Sequence, residues 1–346
     1  MINVLVIDDS AYNRVTISRM LDVHPGIRVV ATAVNGEDGI KQLVRHKPDV
    51  VTLDLEMPVM DGFAFLRWTM ANQPTPIIAV SSKASDRSVF KALELGALDF
   101  IPKPGGRVSP RLPEIGSDLV QIVLQVAEVR LDNLRRRAQE EEKRGADVVV
   151  RPGECRGEID LVAIGSSTGG PPALQYLFET LPSLPLPFVI AQHMPPRFTQ
   201  LFAERVNKLT RYLVKEAEDG EALRRQTVYI APGGQQMEIR RGEDALEVAI
   251  RDPRNEEIHA PSVDRLFASA SDVCGARLLA VVLTGMGDDG ARAIRQVRER
   301  GGRTLAESAE TAIIFGMPGE AIKTGCIEEV LPLRDIPAAV AKICTG

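Results

Sequence analysis

Residues 159–182 read IDLVAIGSSTGGPPALQYLFETLP, and this run decides the architecture of the second half of the chain. IDLVAIG is a short, continuous apolar run, as expected of a strand buried on both faces. Gly165, Gly169 and Gly170 permit a tight strand-to-helix turn, and Pro171 or Pro172 suits a first helical turn. The segment is therefore a βα unit. Further apolar strands follow at residues 188–191, 227–231 and 278–284. An independent series precedes it, with strands at 2–7, 28–33, 49–53, 76–80 and 97–101 and helices at 61–71, 85–95 and 118–134. Strands separated by single helices build parallel sheets covered on both faces. The expected fold class is α/β, with two doubly wound parallel-sheet domains. Between them, LRRRAQEEEKRGADVVVRPGECRGE has much charge and little to bury, which suits a tether. The expected boundaries are 1–138 for the first domain, 139–157 for the charged linker and 158–346 for the second domain.

At 346 residues the chain exceeds one comfortable core, in line with two domains. A hydrophobic fraction of 44% with 26% charged residues is ordinary for a globular protein. The net charge of −5 argues against a nucleic-acid binder. No stretch approaches the roughly 18 consecutive apolar residues of a membrane span, so direct membrane insertion is not expected. The start, MINVLVIDDS, reads as a first strand and lacks the basic opening of a secretion signal. Four cysteines without a CxxC pair, and four histidines, offer little for a zinc site. Reduced thiols and a cytoplasmic location are expected.

Asp8 and Asp9 end the first strand and Asp54 ends the third. In an open parallel sheet such ends converge on the crevice where ligands bind. Three carboxylates gathered there repel one another and call for a hard cation, and Mg²⁺ suits. Ser81 ends the fourth strand and Lys103 follows the fifth, so a hydroxyl and an ammonium could hold the oxygens of a phosphorylated carboxylate. Acids at strand ends are often solvated turn residues, but five such residues at the right ends favour a site. VIDDS, DLEMPVMDG, VSS and FIPKP together resemble a response-regulator receiver domain. The resemblance implies a flavodoxin-like fold, Mg²⁺ on Asp8, Asp9 and Asp54, and phosphorylation of Asp54 by a sensor histidine kinase. It also implies that Ser81 and Lys103 engage the phosphoryl group and that Phe100 is a switch aromatic.

Ser167 lies near a helix N-terminus, where unpaired N–H groups stabilise negative charge. Gly165-x-Ser167-x-Gly169 matches the nucleophile-elbow pattern, although a phosphate-cradling turn or a helix cap uses similar residues. His193 ends the strand FVIAQ, and Asp288 and Asp289 follow LLAVVLT in TGMGDDG. A histidine can raise the nucleophilicity of a serine, and an aspartate can orient the imidazole. His259, in NEEIHAPSVD, reads as a loop residue, at the surface or lining a cleft, without catalytic duty.

IGSSTGGPPAL, AQHMPPRFTQLFAERVN, VYIAPGG, HAPSVDRLFASA, VLTGMGDDGA and FGMPGEA spread a second resemblance over residues 158–346. This half is similar to the catalytic domain of the chemotaxis protein-glutamate methylesterases. The resemblance implies a Rossmann-like sheet, Ser167 as nucleophile, His193 as base and Asp289 as its orienter. Thr168 and Met286 would stand beside the nucleophile with backbone amides for an oxyanion, while Ser166 and Asp288 would be spectators. It implies hydrolysis of glutamate γ-methyl esters on the cytoplasmic helices of chemoreceptors, with deamidation of receptor glutamines, and no cofactor in the catalytic domain. Regulation would be relief of occlusion by the first domain on phosphorylation. The rival from another class is a non-catalytic, phospho-switched module that scaffolds receptors or competes for kinase phosphate. A DNA-binding regulator is disfavoured by the acidic charge and by the lack of a helix-turn-helix pattern.

Overall fold

The computed structural model describes residues 1–81, 86–104, 110–127 and 159–345. The expected linker, and the end of the helix expected to reach residue 134, lie outside the described residues. Contacts divide the chain into two units, Met1–Ala146 and Asp147–Gly346.

The first unit runs β1 (Ile2–Ile7), α1 (Ala11–Asp22), β2 (Ile27–Ala33), α2 (Gly36–His46), β3 (Val50–Leu53), α3 (Gly62–Asn72), β4 (Ile77–Ser81), α4 (Asp86–Glu94), β5 (Asp99–Pro102) and α5 (Gly116–Val126). The sheet order is β2-β1-β3-β4-β5, every pair parallel. Every residue of β3 and β4 is buried, which is why their sequences lack polar alternation. Side-chain caps start the helices locally. Ser10 accepts the Asn13 N–H at 3.4 Å, Asn35 that of Asp38 at 3.0 Å and Asp61 that of Ala64 at 2.7 Å. The chain reverses its direction of travel across the sheet between β1 and β3, leaving a crevice at their C-terminal ends.

The second unit runs β6 (Leu161–Ser166), α6 (Gly170–Thr180), β7 (Phe188–Gln192), α7 (Phe198–Leu209), β8 (Leu213–Glu216), β9 (Thr227–Ile230), β10 (Gln236–Arg241), β11 (Leu246–Arg251), α8 (Val263–Cys274), β12 (Leu278–Val282), α9 (Ala291–Glu299), β13 (Arg303–Glu307), α10 (Met317–Lys323), β14 (Glu329–Leu331) and α11 (Ile336–Thr345). Seven strands form one parallel sheet in the order β14-β13-β12-β6-β7-β9-β8. Here the switch falls at β6, with β7 on one side and β12 on the other. Phe178 of α6, Phe188 of β7 and Tyr212 meet edge to face at 5.3–5.7 Å between centroids, each pair adding about 1 kcal/mol beyond its buried area.

An antiparallel hairpin, β10–β11, stands apart from the parallel sheet. Met237, Ile239 and Val248 join Leu266, Phe267 and Ala270 of α8 in one core. The hairpin thus covers α8, which itself packs on β6. That packing requires glycine at 165, because a Cβ there would stand 2.2 Å from Val263 Cγ1. Gly165 lets the first turn of α8 descend onto the end of β6, beside Ser167.

Candidate functional site

In the first unit the switch-point crevice gathers the acids. Carboxylate oxygens of Asp8, Asp9 and Asp54 lie within 4.8 Å of one another, with Asp8 and Asp54 buried. The backbone bond from Lys103 N–H to Ser81 carbonyl (2.7 Å) ties the ends of β4 and β5 together. From there Lys103 Nζ reaches Asp8 Oδ2 at 2.7 Å and Asp54 Oδ2 at 2.6 Å. Burial raises the Asp54 carboxyl above its usual range despite the Lys103 ammonium, and the neighbouring Asp8 pushes the same way. Hard oxygen donors at this spacing fit a divalent cation of the magnesium kind. Phe100 is buried on β5, paired with Ala79 of β4.

In the second unit, register carries three side chains to one rim. Ser166 pairs with Gln192 across β6–β7, and Gly165 pairs with Val282 across β6–β12. The ladder continues past the strand ends. The His193 N–H donates to Ser166 carbonyl and the Ser167 N–H donates to Thr284 carbonyl, both at 3.0 Å. Ser167, His193 and the loop carrying Asp289 are therefore neighbours by backbone geometry. His193 Nε2 lies 2.8 Å from Asp289 Oδ2. No hydrogen bond joins the Ser167 hydroxyl to the His193 ring among the described residues.

Asp289 is gripped by the start of α8. Its Oδ2 accepts the Val263 N–H at 2.8 Å, and its Oδ1 accepts the Asp264 N–H at 2.8 Å and the Ser262 hydroxyl at 3.0 Å. Burial alone would push this carboxyl up. The His193 bond and the helix N–H groups overcome it and hold Asp289 down at about 2. A carboxylate is an acceptor only, so the Nε2 facing it carries the proton. Nδ1 is then the ring nitrogen left to accept a proton.

Thr168 is buried, with its carbonyl taken by the Thr284 hydroxyl at 3.0 Å. Gly285 packs directly on the serine, since a Cβ on it would lie 2.9 Å from Ser167 Cβ. The next residue, Met286, has a backbone N–H without an acceptor among the described residues. Asp288 is exposed, while the Ser166 hydroxyl is buried and donates to Gln192 Oε1 at 2.6 Å. His259, expected at the surface or lining a cleft, stacks on His193, centroids 4.5 Å apart. A cleft of ≈ 610 Å³ adjoins His259 and Asp289, walled by Arg265, Arg292, Glu320 and Lys323.

Residues 162–340 match the CheB methylesterase family, and residues 4–109 match the response regulator receiver domain. The chain belongs to the CheB methylesterase family. It is 47% identical over 344 residues to protein-glutamate methylesterase/protein-glutamine glutaminase 1 of Myxococcus xanthus, covering 99% of this chain and 97% of that one. It is 43% identical over 361 residues to protein-glutamate methylesterase/protein-glutamine glutaminase 3 of Geobacter sulfurreducens, with the same coverage. The CheB methylesterase catalytic domain of Thermotoga maritima superposes with a TM-score of 0.52 at 37% identity, covering 54% of this chain and 98% of that domain. Among the described residues no helix is long and apolar enough to cross a membrane.

Two supports of this rim have weak sequence signals. Gln192 is nearly inaccessible, and its Nε2 donates at 2.9 Å to both the Ser167 and His193 carbonyls. A polar residue closing the apolar run FVIAQ was the available sign. Two of the donors that hold Asp289, the Val263 and Asp264 N–H groups, are backbone, which no residue pattern distinguishes.

Proposed function

We propose that this chain is a phosphorylation-activated hydrolase that removes methyl groups from glutamate γ-methyl esters of chemoreceptors and deamidates receptor glutamines. The His193–Asp289 hydrogen bond beside Ser167 at the switch point of the second sheet carries this reading. In the proposed reaction the Ser167 hydroxyl attacks the ester carbonyl and His193 Nδ1 takes its proton. That proton is within reach once substrate is seated, since catalytic hydrogen bonds commonly tighten only in the complex. Asp289, ionised at any working pH, stabilises the imidazolium. The Met286 N–H, with a neighbouring amide on the Thr168 turn, receives the tetrahedral oxyanion. Methanol departs with the proton from His193. Water activated by the same ring then splits the acyl-enzyme and restores the receptor glutamate. A glutamine side chain follows the same course and releases ammonia.

The first unit supplies the switch. Asp54 accepts a phosphoryl group from a sensor histidine kinase, with Lys103 and Ser81 binding the added oxygens and Phe100 on β5 repacking in response. Asp8, Asp9 and Asp54 would hold Mg²⁺, which when bound offsets their charge and that of the incoming phosphoryl group. The reaction belongs to the cytoplasm, where the receptor helices and the kinase are accessible. Incubation with receptor membranes carrying methyl-labelled glutamates tests the reading. Labelled methanol should appear in proportion to enzyme, and its absence would overturn the assignment.

A further inference from the structure

The His259 imidazole lies flat on that of His193, its plane only 11° from parallel at 4.5 Å between centroids. Its ring nitrogens make no hydrogen bond to protein among the described residues, so the ring acts through its face. Its position is nonetheless fixed. Gln236, wholly buried at the start of β10, donates from Nε2 to His259 carbonyl at 2.6 Å and accepts the Ser262 N–H on Oε1 at 2.8 Å. The Gly234 N–H holds the Ala260 carbonyl at 3.0 Å. This pinned segment runs straight into Ser262, Val263 and Asp264, the residues that grip Asp289. One short strap therefore bears on His193 twice, at its edge through Asp289 and on its face through His259.

An imidazole held at a single nitrogen can still pivot about that hydrogen bond. A ring laid against its face blocks the pivot. Resting on the assignment of His193 as the base, we propose that His259 is a positioning residue for ester hydrolysis, bracing the His193 ring so that Nδ1 stays aimed for proton transfer. The electrostatics agree with the geometry. Burial and the adjacent His193 push the His259 imidazole below its usual range, while Asp289 and Asp288 pull the other way. His259 is therefore a neutral π-face near neutral pH, and such a face favours the imidazolium that forms on His193 during attack.

The test uses the full-length chain with His259→Ala and His259→Phe. The alanine variant should lose about 10-fold in kcat with KM changed by less than about twofold, and phenylalanine, which restores a flat face, should recover most of the loss. A second readout is independent of turnover. Relaxation of the labelled His193 ring should report greater mobility in His259→Ala and near-normal rigidity in His259→Phe. Unchanged kcat and ring mobility in both variants would overturn the proposal. So would equal losses in both variants with a parallel drop in folded fraction, the mark of a merely structural role. A loss of about 10³-fold or more in both would make His259 itself the base and sink the brace as well. Should the wild-type chain release no methanol, the proposed function fails, and the ring measurement still decides the brace.

Discussion

Each unit places a carboxylate at the switch point of a parallel sheet, yet the two acids are treated in opposite ways. Asp54 is buried beside Asp8 with one lysine as countercharge, and its carboxyl is pushed up. Asp289 is buried as well, but two helix N–H groups, a hydroxyl and an imidazole all point at it, and its carboxyl is pulled down to about 2. The contrast separates two kinds of job. Asp289 is fully solvated by protein groups and has no unmet demand, which suits a residue that must hold another group still. Asp54 keeps an excess of like charge around it, which suits a residue awaiting a cation and a phosphoryl group.

This contrast can be broken by substitution. Ser167→Ala should lower methanol release by at least about 10⁴-fold, since it removes the proposed nucleophile. Asp289→Asn should cost about 10³-fold in kcat, because the amide no longer stabilises the imidazolium. It should also change stability in a pH-dependent way. A carboxyl whose folded value lies below its unfolded value stabilises the fold above the unfolded value, and that stabilisation fades as pH falls through the folded value. From the usual 3.8 to about 2, the contribution is about 2 kcal/mol near neutral pH. Urea unfolding should find the variant weaker at pH 7, with the gap closing as the pH drops from about 4 toward 2.

Asp54→Asn should leave basal hydrolysis intact and abolish stimulation by a phosphodonor, a stimulation expected within the 5- to 150-fold span of ordinary allosteric coupling. A variant that still responds would remove Asp54 from the switch. Gln192→Ala should give the smallest effect, about 10-fold in kcat, through loosening of the Ser167 and His193 carbonyls. An unchanged kcat would show that the backbone ladder alone holds the two loops.

The central strands that carry the two rims, and the residues at their ends, were readable because buried parallel strands are largely apolar, so a polar residue that closes one is conspicuous; the shorter or more polar β8, β13 and β14 were not. Asp54 after VVTL and His193 after FVIAQ stand out in this way. The supports were less legible. Alternating Met237, Ile239, Val248 and Ile250 hint at the β10–β11 hairpin, but its role depends on α8 lying beneath it. His259 reads as an ordinary loop histidine. Its place on His193 follows from Gln236, 23 residues earlier, and from backbone bonds that leave no trace in residue type.

The most direct test of the whole account measures methanol release from methylated receptor membranes, with and without a small-molecule phosphodonor and Mg²⁺. The expected result is release by the native chain that rises with the phosphodonor and is absent from Ser167→Ala. Equal release from the native and Ser167→Ala chains, or none from either, would contradict it.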